Sequence, residues 1–372
     1  MKNKIHKYDF LIVGAGLIGS IAALALCKNK FKVLVIDKKK KIPVDERTLA
    51  VNANSKDFLS NLGIWASLKS KPQPINKIII KDYINESPLI FENSSEAMGN
   101  VILNSEMLKI VREKLENLKI LKTNIDLNPN ILLPNENIII NKENYIFKKI
   151  IISVGKNNNL NLNHKSIKFD QGHNSFVGFF EHDKDHQNYA YEIFNPYGPL
   201  AVLPSPSNNK KKSTFIYSTK NEISSRQIQS LIKKKFKQSH GQLYFEKSMY
   251  KFPITPHLRK NNKDFIYLGD SLKSIHPVAG QGWNLGIKDI QKLIMMSRTY
   301  PLSYKDFNSI YYSNRIFEST LYFSFTSILN YLYENKNPIN TKIIKVGYSS
   351  LSNFQLLRDL FIKQAMGRTN LI

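Results

Sequence analysis

A single cysteine, Cys27, stands in 372 residues, which excludes an intramolecular disulfide framework and any metal site built from several thiolates. Such a chain suits a reducing compartment. Acidic residues are also scarce: 29 Asp plus Glu face 54 Lys plus Arg, a formal net charge of +25. A field of that sign attracts polyanions, so nucleic acid and an anionic membrane surface are the partners to weigh first. The lysine runs 38–41, 210–212 and 233–235 come without the interleaved aromatics of a nucleic-acid module, and they accompany abundant Asn and Ile, as in A/T-rich coding. Nucleic acid is therefore set aside. Long apolar runs are missing too. The uncharged stretch Phe10 to Cys27, preceded by Lys2, Lys4 and Lys7, imitates a secretion signal. Glycines at turn spacing break it, bulky Leu26 fills a position that needs a small residue, and Lys28-Asn29-Lys30 leads into another strand. The stretch is expected to belong to the fold, and no other apolar run nears the roughly 20 residues that span a bilayer. The expected location is cytoplasmic, peripheral at the inner face of the cytoplasmic membrane. There is no internal repeat, and 157–163 is the one low-complexity segment.

What is present is 42% hydrophobic, enough for two domains with separate cores. Residues 8–13 and 32–36 are short β-branched runs, and Leu17 to Lys28 between them has the Ala/Leu content of a helix packed on both sides, a βαβ start. Further strands are predicted at 75–81, 137–141, 145–153, 176–181, 189–194, 199–203, 213–218 and 265–268. Helices are predicted at 55–62, 105–117, 224–238, 282–296 and, after Pro301, in Tyr- and Phe-rich segments such as 317–333. The order runs from an α/β opening through a strand-rich middle back to a strand-loop-helix. It predicts a discontinuous nucleotide domain (1–74, 98–160, 255–300), a β-rich insert (75–97, 161–254) and a C-terminal helical segment (301–372).

Two constellations carry chemistry. Gly14-Ala15-Gly16-Leu17-Ile18-Gly19 joins the first strand to its helix, letting a pyrophosphate approach the backbone at a helix N-terminus. Asp37, at the end of the second strand, is spaced to accept from ribose hydroxyls. The second is Gly269-Asp270 followed by Ser274-Ile275-His276-Pro277-Val278-Ala279-Gly280-Gln281-Gly282-Trp283-Asn284-Leu285-Gly286. There a stiffened loop opens a helix whose amides suit the electron-rich edge of a reduced flavin. His276, just before a proline, reads as structural, and Cys27 as an inert thiol facing the helix-sheet core.

The stretch from Gly269 to Asp289 resembles the flavin-binding signature of the aromatic hydroxylases of ubiquinone biosynthesis, FAD-dependent class A monooxygenases of the p-hydroxybenzoate hydroxylase type. Glu46-Arg47-Thr48-Leu49-Ala50, Gly99 to Asn104, Ala190 to Phe194, Gly198 to Pro204 and the ending Gln364 to Gly367 are similar in the same order, so the likeness spans nearly the whole chain. It implies a Rossmann-like α/β FAD-binding domain interrupted by a mainly β (α+β) substrate domain, with C-terminal helices. It further implies that Gly14, Gly16, Gly19 and Asp37 hold the ADP half of FAD, that Arg47 and Asn104 lie along the flavin, and that Asp270, Pro277, Gly280, Gln281, Gly282 and Asn284 hold ribitol and ring.

The implied reaction is hydroxylation of a polyprenylated phenol or benzoquinone precursor with O2, through a flavin C4a-hydroperoxide. The cofactor makes the bonds, so no catalytic acid-base pair is assigned. An anionic membrane surface and other proteins of ubiquinone biosynthesis are the further partners. One departure stands out: after the strand 149–154 the chain reads Gly155-Lys156-Asn157, where the family has an Ala-Asp-Gly motif followed by Ser and Arg. The electron donor, NAD(P)H or a redox protein, is left open by that change. The alternatives are an FAD-dependent polyprenyl reductase and an assembly component that has lost turnover.

Overall fold

The computed structural model describes residues 5–41, 47–127, 132–155, 166–168, 172–207, 209–276 and 280–368. The first sheet sets side by side, all parallel, β8 (Leu121–Thr123), β2 (Val33–Asp37), β1 (Ile5–Val13), β10 (Glu143–Ile152) and β18 (Phe265–Tyr267). The hairpin strand β9 (Asn137–Ile140) pairs antiparallel with β10. Phe10, Leu11 and Ile12 of β1 are all fully buried, as a central parallel strand covered on both faces requires. One cover is α1 (Leu17–Lys28), where Gly19 to Leu26 are buried without a break. That helix is wedged between the sheet, α3 (Asn104–Asn117) and α5 (Gly282–Thr299). The uncharged stretch from Phe10 to Cys27 is thus the end of β1, its turn and α1. Cys27 is half-buried and packs against this core.

The second sheet is seven-stranded: β16 (Leu243–Pro253), β12 (Asn174–His182), β15 (Lys212–Thr219), β14 (Leu200–Pro204), β13 (Tyr189–Ile193), β5 (Lys77–Lys81) and β6 (Leu89–Glu92). Only the β13–β5 pair is parallel. α4 (Ser225–His240) starts with a Ser224/Gln227 capping box and lays Ile228, Ile232 and Phe236, at i, i+4 and i+8, onto this sheet. Two small sheets complete the strands: β3 (Thr48–Asn52), β7 (Gly99–Leu103) and β4 (Gln73–Ile75), then β11 (Ser166–Lys168), β17 (His257–Arg259) and β19 (Lys273–Ser274). The single strand predicted at 75–81 is two. The Asn76 amide donates to Asn188 O at 2.9 Å, and the chain changes sheet there. The helix predicted at 55–62 is α2 (Ala53–Asn61), started by the Asn52 side chain accepting from Ser55 N.

After Pro301 come α6 (Phe307–Glu334), α7 (Pro338–Asn353) and α8 (Gln355–Ala365). α6 fastens the two large sheets together. Phe307 and Tyr311 join the first sheet's core, while Tyr333, near its other end, stacks on Phe194 at 4.4 Å between centroids. Burying each such side chain contributes about 1.5–3 kcal/mol. The architecture is the expected α/β one, a Rossmann-like sheet beside a mainly β sheet with helices at the C-terminal end.

Candidate functional site

In the order β8-β2-β1-β10-β18 the chain moves from β1 to β2 and β8 and then returns to β10 on the other side of β1, which makes the carboxyl ends of β1 and β10 the switch point where such sheets bind ligands. Gly14 ends β1 with φ +104°, and a Cβ there would stand 2.7 Å from Ser153 O at the end of β10. At Gly19 a Cβ would fall on Gly14 O and Ser153 Oγ. Both glycines therefore serve close packing of turn, helix and strand. Gly16 differs. Its backbone is extended and a Cβ would meet no heavy atom of the described residues within 4 Å, so among them the space before α1 is open. Gly16 is the N-cap of α1 and no side chain caps it, which leaves the first amides facing that space. Asp37 Oδ2 accepts from Ala15 N at 2.7 Å and Oδ1 from Lys39 N at 2.7 Å, fixing the carboxylate beside the turn.

The second constellation lies against the first. β18 ends in the single turn Gly269–Ser271, and Ser271 Oγ receives the Gly155 amide at 3.1 Å, tying the end of β10 to this loop. Asp270 is exposed on that turn. α5 begins at Gly282 with Gln281 as an N-cap that makes no side-chain cap bond, so among the described residues a second set of helix amides has no side-chain cap. Gly280 has φ +60° and packs near Ala50. Ile18 of α1 fills the gap left by Gly269 and Gly286, where a Cβ would stand 3.0 Å and 2.7 Å from its side chain. These contacts bring α1 and α5 together.

Asn284 is buried. Its Nδ2 donates to Ala50 O at 2.9 Å and its Oδ1 accepts from Asn52 N at 3.1 Å, so its carboxamide locks α5 to β3. Asn104 is buried at the first turn of α3, and its amide donates to Arg47 O at 3.0 Å. The exposed Arg47, just before β3, places its guanidinium 4.8 Å over the Phe252 ring of β16, linking the small β3 sheet to the seven-stranded one. Pro277, also expected at the site, lies outside the described residues, as do Glu46 and the 156–165 segment after Gly155.

Sequence reasoning missed two features. His276, 2% exposed, has no hydrogen-bond partner for either ring nitrogen among the described residues and stands edge-on to His173 at 5.2 Å. Burial foremost, and then the neighbouring His173, push it down to about 3, so it is neutral at physiological pH. The other is a buried charge network: Asp289 accepts from Lys273 Nζ at 2.6 Å, Arg315 Nε at 2.8 Å and Gly269 N at 3.1 Å, while Arg315 also pairs with Glu318. It holds the Gly269 turn on α5 and α6. Asp289 was noticed only as the end of a motif, because its partners lie 16 and 26 residues away.

Comparison with known proteins agrees with this geometry. Residues 7–125 match the FAD binding domain family. The chain is 23% identical to ubiquinone hydroxylase UbiL of Rhodospirillum rubrum over 98% of this chain and 90% of that protein. It is equally similar, at 23%, to ubiquinone biosynthesis monooxygenase COQ6 of Schizosaccharomyces pombe over 94% of this chain and 91% of that one. p-Nitrophenol 4-monooxygenase PnpA from Pseudomonas putida DLL-E4 shares the fold with a TM-score of 0.75 at 12% identity, covering 97% of this chain and 98% of its own. The chain thus carries an FAD binding domain match over 7–125, is similar end to end to curated ubiquinone hydroxylases, and shares its fold with an aromatic monooxygenase.

Proposed function

We propose that the chain hydroxylates the aromatic ring of a polyprenylated phenol or benzoquinone precursor in ubiquinone biosynthesis, using FAD and O2. The observation that carries this reading is the pair of uncapped, glycine-bounded helix starts, α1 and α5, set together at the carboxyl edge of a parallel sheet and beside a seven-stranded one. Uncapped helix amides call for an anionic partner, and the open space at Gly16 admits a pyrophosphate, so the residues present fit FAD. The division into a nucleotide domain at 1–74, 98–160 and 255–300, an insert at 75–97 and 161–254, and a helical segment from 301 belongs to this reading.

When bound, FAD supplies the electron and oxygen chemistry that side chains lack. The protein's part is placement. Gly14, Gly16 and Gly19 let the ADP half reach the amides of α1, and Asp37 accepts from ribose. Gly280, Gln281 and Gly282 present the start of α5 to the ring and, with Asp270 and Pro277, to ribitol. Asn284 keeps α5 seated on β3. Asn104 and Arg47 border the ring, and Arg47 reaches toward the insert sheet, where the aromatic substrate would lie. His276, neutral and buried, shapes the loop. The electron donor is NAD(P)H or a redox protein; Gly155, whose amide donates to Ser271 Oγ, opens the segment that departs from the family's Ala-Asp-Gly motif.

A polyprenylated substrate resides in the bilayer, so the enzyme meets it at the membrane surface, together with other proteins of the pathway. Among the described residues no helix is long and apolar enough to cross. Purified protein should be yellow with bound FAD. Expressed in strains each blocked at one ubiquinone hydroxylation step, the gene should restore the quinone in at least one. Failure in every strain, with flavin-loaded protein present, would overturn catalysis and favour an assembly role.

A further inference from the structure

α6 buries Arg315, Ser319, Phe323, Thr326, Asn330 and Tyr333 along one side. Its opposite side exposes Phe317, Leu321, Phe325, Ile328 and Tyr331 by 45–57%, at spacings of three and four that align them in one stripe. Ser319 to Tyr333 contains no charged residue, whereas the solvent face of a helix in water ordinarily carries charge. α7 repeats the pattern: Asn340 and Ile344 are buried, while Ile339, Ile343 and Val346 are 71%, 50% and 59% exposed, again at i, i+4 and i+7.

Lysines flank that second stripe. Lys336, Lys342 and Lys345 line an open depression of about 720 Å³ between α7 and the Tyr83-Ile84 turn. No Asp or Glu occurs between Glu334 and Asp359. The carboxylate of the adjoining turn, Asp82, accepts inward from the Tyr333 hydroxyl at 2.9 Å and from Ile84 N at 2.8 Å.

We infer that the outer face of α7, continued by the last turns of α6, docks on an anionic bilayer, its apolar stripe entering the interface and its three lysines meeting lipid phosphates. An apolar stripe bordered by lysines is the pattern of a helix lying in a membrane surface. A second copy of the chain fits poorly, since a two-fold contact through this face would set the lysines of one copy against those of the other in a protein of net charge +25. The inference rests on the reading of a bilayer-resident substrate, but its test does not depend on hydroxylation.

The test is co-sedimentation of the purified, flavin-loaded protein with vesicles of phosphatidylcholine alone or with one-third phosphatidylglycerol. Binding is expected to the anionic vesicles and to be lost near ~0.5 M salt. Replacing Lys336, Lys342 and Lys345 together by Gln should weaken it on the order of a hundredfold. The same replacement at Lys233, Lys234 and Lys235 of α4, which removes the same net charge, should change it less than about threefold. Ile343→Glu with Val346→Glu should abolish it while FAD stays bound. The inference is overturned if the wild type ignores anionic vesicles, if the two lysine triples behave alike, or if the Glu pair leaves vesicle binding intact and instead turns an oligomer into a monomer by light scattering.

Discussion

Replacing Gly16 with alanine separates a ligand cradle from a merely structural turn. Gly16 adopts φ −71° and ψ −178°, which any residue reaches, and a Cβ there meets none of the described residues within 4 Å. For the flavin-free protein the exchange weakens the N-cap by up to ~1 kcal/mol. Restricting the unfolded chain returns about 0.4–1 kcal/mol. The melting temperature should therefore barely move. The same methyl group occupies the approach of a pyrophosphate to the first amides of α1. Losing two charge-assisted hydrogen bonds there, at about 1.5–3 kcal/mol each, weakens FAD binding by roughly 10²–10⁴-fold. Gly19→Ala is the contrast. Its Cβ collides with backbone and with Ser153 Oγ, so it should cost about 1–3 kcal/mol of stability or more before any ligand is added. Thermal melts of flavin-stripped protein and fluorescence titration with FAD read the two effects separately. The reasoning fails if Gly16→Ala melts as low as Gly19→Ala, or if it binds FAD as tightly as the parent.

Asp289→Asn should lose about 3–5 kcal/mol in urea unfolding, because it strips the carboxylate from buried Lys273 and Arg315; a loss below about 1 kcal/mol would mean that the network is solvated. His240 and His186, whose rings lie 4.6 Å and 6.2 Å from that of His182, are pushed down by burial to about 3 and about 4 from 6.5. The unfolded chain then binds more protons than the folded one between those values, so stability is full above pH 6.5 and falls as pH drops toward 4. His240→Phe should flatten that slope by at most about 1.4 kcal/mol per pH unit, and an unchanged slope in acid denaturation would show that the ring is not buried neutral. Burial raises the Cys27 thiol, so its alkylation in the folded protein should be slower than in urea; equal rates would contradict the packed position on α1.

The elements that the sequence made legible are those whose local pattern and final environment agree. β1 and α1 are apolar on all sides because they are buried on all sides, and the glycines between them admit few other turns. The turn between β1 and α1 was therefore readable, and so was the start of α5. β16 escaped notice: its Leu-Tyr-Phe-Glu-Lys-Ser-Met-Tyr-Lys-Phe-Pro sequence has no clean alternation, because it is an edge strand that among the described residues pairs with β12 alone and is half-exposed. The break at Asn76 was also hidden, since it is set by an amide's bond to Asn188, 112 residues along the chain.

Composition and spacing alone fixed the flavin-type glycine turns, the near absence of sulfur chemistry and the basic charge, because these depend on residue type and short-range geometry. Tertiary structure alone decided which distant groups meet. It spent the Asn284 carboxamide on β3, buried His276 in its neutral form, gathered Lys273, Arg315 and Asp289 into one network, and turned the apolar stripes of α6 and α7 outward. Those outcomes depend on desolvation and packing between segments tens to hundreds of residues apart, where no local pattern reaches.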